Sequence, residues 1–138
     1  MSALPDRWVD YALVVGFAAA VLLASVVDPP TGTGAAGAAV TVPRALGLPL
    51  DKWVHAGTYA VLAGLLCRAT NARAAWVVLL AAGVAVSYGA AIEVVQATLP
   101  ARSFEVGDLA ANAVGATLMG VAWRVRPALV DRAVLVGR

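Results

Sequence analysis

A chain of 138 residues fits one domain, yet 62% of it is hydrophobic and only 13% charged, against roughly half and a quarter in average soluble chains. The net charge of +2 comes from ten basic and eight acidic residues scattered along the chain, with no basic run or aromatic–basic interleaving, which excludes a nucleic-acid surface. Cys67 is the single cysteine, so an intramolecular disulfide and a cysteine metal cluster are excluded as well.

So apolar a chain would expose aggregating patches in water; a lipid bilayer removes that problem, and membrane lipids are the first partner expected. Four apolar segments follow one another. The first, from about Trp8 to Val27, stops at Pro29-Pro30, which cannot continue a helix. Its core from Tyr11 to Val27 is longer than a signal-peptide apolar region, and Asp6 and Asp10 spoil a basic leader, so a retained span is expected. A Gly/Ala/Thr/Pro-rich stretch from Asp28 to Leu48 reads as an external loop. The second segment runs from about Pro49 to Cys67, the third from Ala74 to Leu99 before Pro100, and the fourth from about Val106 to Trp123. Each approaches the roughly 17–25 residues that cross a hydrocarbon core, the second and fourth marginally because their first turns are polar. The tail from Ala128 to Arg138 alternates apolar and charged residues and reads as a short helix on the membrane surface. Trp8, Trp53, Trp76 and Trp123 fit interfacial anchors.

Basic residues near span ends set the orientation. With the N-terminus inside, the cytoplasmic side collects Arg7, Arg68, Arg73, Arg124, Arg126, Arg132 and Arg138, and the outside only Arg44, Lys52 and Arg102. The expectation is an all-α, four-helix transmembrane bundle in the cell membrane, forming a single domain over residues 1–138 with both termini cytoplasmic.

That topology gathers the unusual residues at the outer face. The second span enters with Asp51, Lys52, His55 and Tyr59, where Asp51, His55 and Tyr59 share a helix face at i, i+4, i+8. The third arrives with Gly89, Glu93 and Gln96, followed by Arg102 in the loop; the fourth re-enters with Asp108, Asn112, Gly115 and Met119 on one stripe. Singly, most of these have ordinary readings: Asp51 and Asp108 as helix-start charges, Lys52 and Arg102 as residues that snorkel to head groups, Tyr59 as an interfacial aromatic. Glu93 is harder to explain that way. It sits among Ala90, Ala91, Ile92, Val94 and Val95, where a carboxylate at mid-depth costs on the order of 2.5–3.5 kcal/mol, so it needs a partner, with His55 and Arg102 as candidates. His55 is the only histidine. Polar groups from three spans at one depth point to a functional pocket.

These residues, in the runs DKWVHAGTYAVLAGLL and EVVQATLPARSFEVGDLAANAVGATLMG, resemble the VanZ-like family of small multi-pass membrane proteins over roughly Leu50 to Gly120. The resemblance implies a shared fold and a shared outer-face site at Asp51, Lys52, His55, Tyr59, Glu93, Gln96, Arg102, Asp108, Asn112 and Gly115. The family takes its name from an accessory protein of resistance to the glycopeptide antibiotic teicoplanin; that association does not carry drug resistance over to this chain.

Two classes of function stay open. One is a non-enzymatic envelope protein whose pocket binds a lipid-linked or surface component. The other is a membrane-embedded enzyme acting on a lipid or polyprenyl-phosphate head group, with His55, Glu93 and Asp108 as candidate base and acid and with Lys52 and Arg102 holding a phosphate. No cofactor is expected beyond a divalent metal, for which His55, Glu93, Asp51 and Asp108 are the available ligands. A proton-coupled transporter fits less well, because the carboxylates cluster at one face and do not line a path. Ser87, Ser103 and Cys67 all lie off the belt, which argues against covalent catalysis.

Overall fold

The computed structural model describes residues 7–27, 44–99 and 103–136, the last ten by their helical backbone alone. Among the described residues it is built of four helices and one small hairpin: α1 (Arg7–Val26), β1 (Arg44–Ala45), β2 (Leu48–Pro49), α2 (Leu50–Ala69), α3 (Ala75–Gln96) and α4 (Val106–Val136). The expected external loop lies largely outside the described residues; its last part is the hairpin, in which Arg44 pairs with Pro49 and Ala45 with Leu48. Leu46 and Gly47 turn it with φ of 50° and 80°, the two positive values of a tight hairpin turn that glycine takes freely and leucine does not. Trp53 Nε1, one turn into α2, donates to the Ala45 carbonyl at 2.9 Å and holds the hairpin against the helix start.

Helices α1 and α3 are long and apolar enough to cross a membrane; none of α1 and only a minority of α3 is buried within the protein. The polar first turns of α2 and α4 set them apart from that pair. The α2–α3 connection is a Schellman turn. Asn71 takes the left-handed conformation at φ 49°, the Ala72 amide bonds the Cys67 carbonyl at 2.8 Å and the Asn71 amide the Arg68 carbonyl at 3.0 Å, which satisfies carbonyls that the helix end would leave bare. The fourth helix does not stop near Trp123 as expected but continues to Val136. Pro127 removes the N–H that would reach Trp123 and crowds that carbonyl, yet the helical backbone continues through it and the tail extends the helix.

Packing alternates the helix directions. Asp10 on α1 pairs with Arg68 at the end of α2 (2.7 Å), Tyr88 donates its hydroxyl to the Ala18 carbonyl at 2.6 Å, and Gln96 Nε2 reaches the Ser25 carbonyl at 3.1 Å. Helix α1 therefore runs alongside α3 and opposite to α2. The tightest pair is α2 with α4, because Gly115 lies directly on the backbone carbonyl of Ala56 with no space for a Cβ. One core cluster of Tyr59, Leu62, Ala63, Ala85 and Ala116 fills the middle. A second, of Cys67, Ala72, Val78 and Ala81, fills the end beneath the α2–α3 turn. At the opposite end the starts of α2 and α4 and the ends of α1 and α3 come together.

Candidate functional site

Four side chains that a helical core would ordinarily keep apolar are buried at that opposite end: Glu93, Gln96, Asp108 and Asn112. They come from α3 and α4, and α2 adds Lys52 and His55. The i, i+3 spacing on α2 and the i, i+4 spacing on α4 place the pairs side by side. His55 Nδ1 lies 3.1 Å from Asn112 Oδ1, and because an amide oxygen only accepts, His55 donates from Nδ1. Its other nitrogen, Nε2, faces Asp108 Oδ2 at 3.6 Å. Glu93 completes the group from α3: one ligand atom each from His55, Glu93 and Asp108 all lie within 4.8 Å of one another.

Glu93 is 1% exposed, and among the described residues its hydrogen-bond partner is a backbone amide. Oε2 accepts the backbone amide of Glu105 at 3.1 Å. Glu105 opens α4, its carbonyl taking the first helical bonds from Asp108 and Leu109, so the buried carboxylate of α3 fixes the entry of the chain into α4. His55 stands near Glu93 without a hydrogen bond to it, and Arg102 lies outside the described residues.

Lys52 forms the rim. Its ammonium bridges Asp51 at 2.9 Å, Glu105 at 2.8 Å and Asp108 Oδ1 at 2.5 Å. Two helix starts are thus tied by a single cation whose side chain is 19% exposed. Glu105 is the residue that the sequence reading missed. Its signal was its place three residues ahead of Asp108, at the start of a helix where acidic side chains are favoured.

The remaining expected residues have structural roles beside the cluster. Tyr59 belongs to the core, with its ring over Gly89; a Cβ on Gly89 would fall 2.8 Å from that ring and 2.7 Å from Asn112 Nδ2. Gln96 ties α3 to α1 through the Ser25 carbonyl. Between α1, α2 and α3 a cleft of about 230 Å³ runs from His55 past Val21, Ala24, Val54, Thr58 and Gln96. The cluster therefore combines an acid–base trio with an adjoining half-apolar cleft.

No protein-family model matches this chain, and no curated protein or solved structure is significantly similar to it.

Proposed function

We propose that the chain is a four-span membrane protein of VanZ-like type, with both termini cytoplasmic, whose outward-facing cluster binds the polar head of a lipid-linked cell-envelope component. The observation that carries the ligand reading is the convergence of His55, Glu93, Asp108 and Asn112 from three helices beside an open, half-apolar cleft. Binding sites pair such a lining with a few convergent polar groups, and ionisable groups kept in lipid mark function. The four-span reading draws support from the two long apolar helices. It also draws on large apolar side chains exposed on every helix, among them Trp8, Leu23, Val54, Leu79, Leu80, Val94 and Leu118, which lipid would cover. The seven-to-three bias of basic residues favours cytoplasmic termini.

The cleft accounts for the lipid part of the ligand and the cluster for its head. Native mass spectrometry of the protein in nanodiscs, with polyprenyl phosphate as probe, tests this. The expected result is a one-to-one adduct with wild type that His55→Asn weakens at unchanged folded yield. Equal retention of the probe by both proteins would remove the cluster from the binding site. The catalytic reading, hydrolysis or transfer at the same head group, is favoured by one geometric feature: His55 Nε2 faces Asp108 while Nδ1 is held by Asn112 and Glu93 stands close by, the setting of an oriented general base. Release of phosphate or a head-group fragment from the bound probe distinguishes it from binding alone.

A further inference from the structure

The charge of the cluster does not match a phosphate-bearing head. Among the described residues, Asp51, Glu93, Glu105 and Asp108 bring four carboxylates against the one ammonium of Lys52, a balance that repels an anion entering alone. Lys52 fills the outer acidic group, because Asp51, Glu105 and Asp108 Oδ1 all close on its nitrogen. The inner group is different. Asp108 turns its second oxygen to His55 Nε2 at 3.6 Å, and Glu93 from α3 brings a carboxylate within 4.8 Å of both residues' ligand atoms. In the neutral imidazole, with the Nδ1 proton donated to Asn112 Oδ1, Nε2 carries a lone pair, so an imine nitrogen stands with two carboxylates in one tight group. Three mutually repelling donors held at that spacing fit one arrangement well: a cation between them.

We propose that His55 Nε2, Glu93 and Asp108 Oδ2 bind one divalent transition-metal ion, with Asn112 as the residue that orients the imidazole. One nitrogen and two carboxylate donors suit zinc, manganese, iron or cobalt in the +2 state. An imidazole whose other N–H is donated to a carbonyl oxygen is the usual arrangement of a metal-bound histidine. Donor atoms within 4.8 Å of one another need only small side-chain rotations to reach metal–ligand bonds of about 2.0–2.2 Å. The donors come from three helices, so the ion would also staple α2, α3 and α4. Its open positions would face the cleft, where a phosphate or carbonyl oxygen of the head group would take them; this last step rests on the function proposed above, whereas the metal site does not.

The test uses full-length protein in detergent, stripped with chelator and titrated with Co²⁺ alone, with no lipid probe present. One Co²⁺ per chain with visible ligand-field absorption is expected, displaced by Zn²⁺. His55→Gln, Glu93→Gln and Asp108→Asn should each weaken binding at least as far as the about 10–100-fold loss typical of outer-shell changes, and Asn112→Leu within that range. The Asp51→Asn/Glu105→Gln double variant should bind within about threefold of wild type, since Lys52 already occupies that group. Pulsed EPR of Mn²⁺-loaded wild type should show nitrogen hyperfine coupling, a readout that needs no variant to fold. Absence of stoichiometric Co²⁺ binding, absence of nitrogen coupling, or loss of binding only in the Asp51/Glu105 double variant would each overturn the site. Metal binding without a polyprenyl adduct would leave the site standing and remove the lipid reading; a chelator-insensitive adduct with no metal would do the reverse.

Discussion

The two ends of the helix bundle are fastened by different chemistry. At the end under the α2–α3 turn, polar side chains reach backbone carbonyls: Trp123 Nε1 donates to Ala72 at 2.9 Å and Arg124 Nη1 to Arg73 at 2.6 Å, over a core of Cys67, Ala72, Val78 and Ala81. Arg126 stacks on the Trp123 ring, 3.6 Å from its centroid. Those contacts satisfy groups that any turn leaves open, and their charged heads stay outside. The first end has one described ion pair across helices, the largely exposed Arg68 with Asp10; at the other end several charged side chains converge across helices, and two carboxylates are buried. Such burial is costly for the fold and offers little in return. One end is therefore built for closure, while the other carries polarity that closure does not require.

The largest effect that breaks this comparison is expected between the two ends. Gly115→Ala puts a methyl group onto the Ala56 backbone, which cannot rotate away as a side chain can, and α2 and α4 must separate. Folded protein recovered after detergent extraction should fall severely, and recovery near the wild-type level would mean that the two helices are not in close contact. Gly89→Ala at the polar end comes next. Its methyl group would meet Asn112 and Tyr59 at 2.7–2.8 Å, with an overpacking cost of about 1–3 kcal/mol. The matching change at the other end, Gly120→Ala, meets only the tip of Val78 at 3.2 Å and should shift thermal stability far less. Equal shifts would show that the polar end is no more tightly specified than its opposite.

Glu93 sharpens the contrast further. Glu93→Gln keeps an acceptor for the Glu105 amide and removes one charge from a crowded group, whereas Glu93→Leu leaves that amide without its partner, a loss of about 1–3 kcal/mol. In chelated protein, Glu93→Gln should melt at or above the wild-type temperature and Glu93→Leu below it. Equal losses in both would make the negative charge itself structural. A smaller effect is expected from Trp123→Phe, which gives up one hydrogen bond worth about 0.5–1.5 kcal/mol. It should lower the melting temperature slightly and leave probe binding at the polar end intact; impaired binding would couple the two ends.

Much of the polar end was legible in the chain because helical spacing is a strong constraint. With α2 and α4 parallel, both starting at the same end, Lys52 and His55 had to lie near Asp108 and Asn112, and they do. The spacing could not show which partner each group takes. Glu93 holds the Glu105 backbone amide and not the expected His55, because backbone donors leave no trace in residue identity; the other expected partner, Arg102, lies outside the described residues. Tyr59 lines the cleft beside His55 as its spacing implied and also belongs to the core, since a stripe of period four fixes direction and not depth. The Leu46-Gly47 hairpin was missed because leucine is a poor turn residue. The continuation of α4 through Pro127 was missed because proline usually marks an end.

Topology makes the smallest demand on the fold and can be read with single thiols. Cys67 is fully buried beneath the α2–α3 turn, so the native thiol should resist an impermeant maleimide whichever way the protein sits, and its silence carries no topological information. In a Cys67→Ser background, exposed positions at the two ends serve instead. Ala74 precedes α3 at the end with Arg68 and Arg73, and Thr98 follows α3 at the polar end. Neither replacement removes a buried contact, so both variants should fold with melting temperatures near wild type. With the polar cluster facing outward, Thr98→Cys is labelled in intact cells and Ala74→Cys only after permeabilisation. The reverse pattern would place the His55 cluster on the cytoplasmic side, where an envelope ligand could not reach it. Labelling of both in intact cells would mean that α3 does not cross the membrane at all.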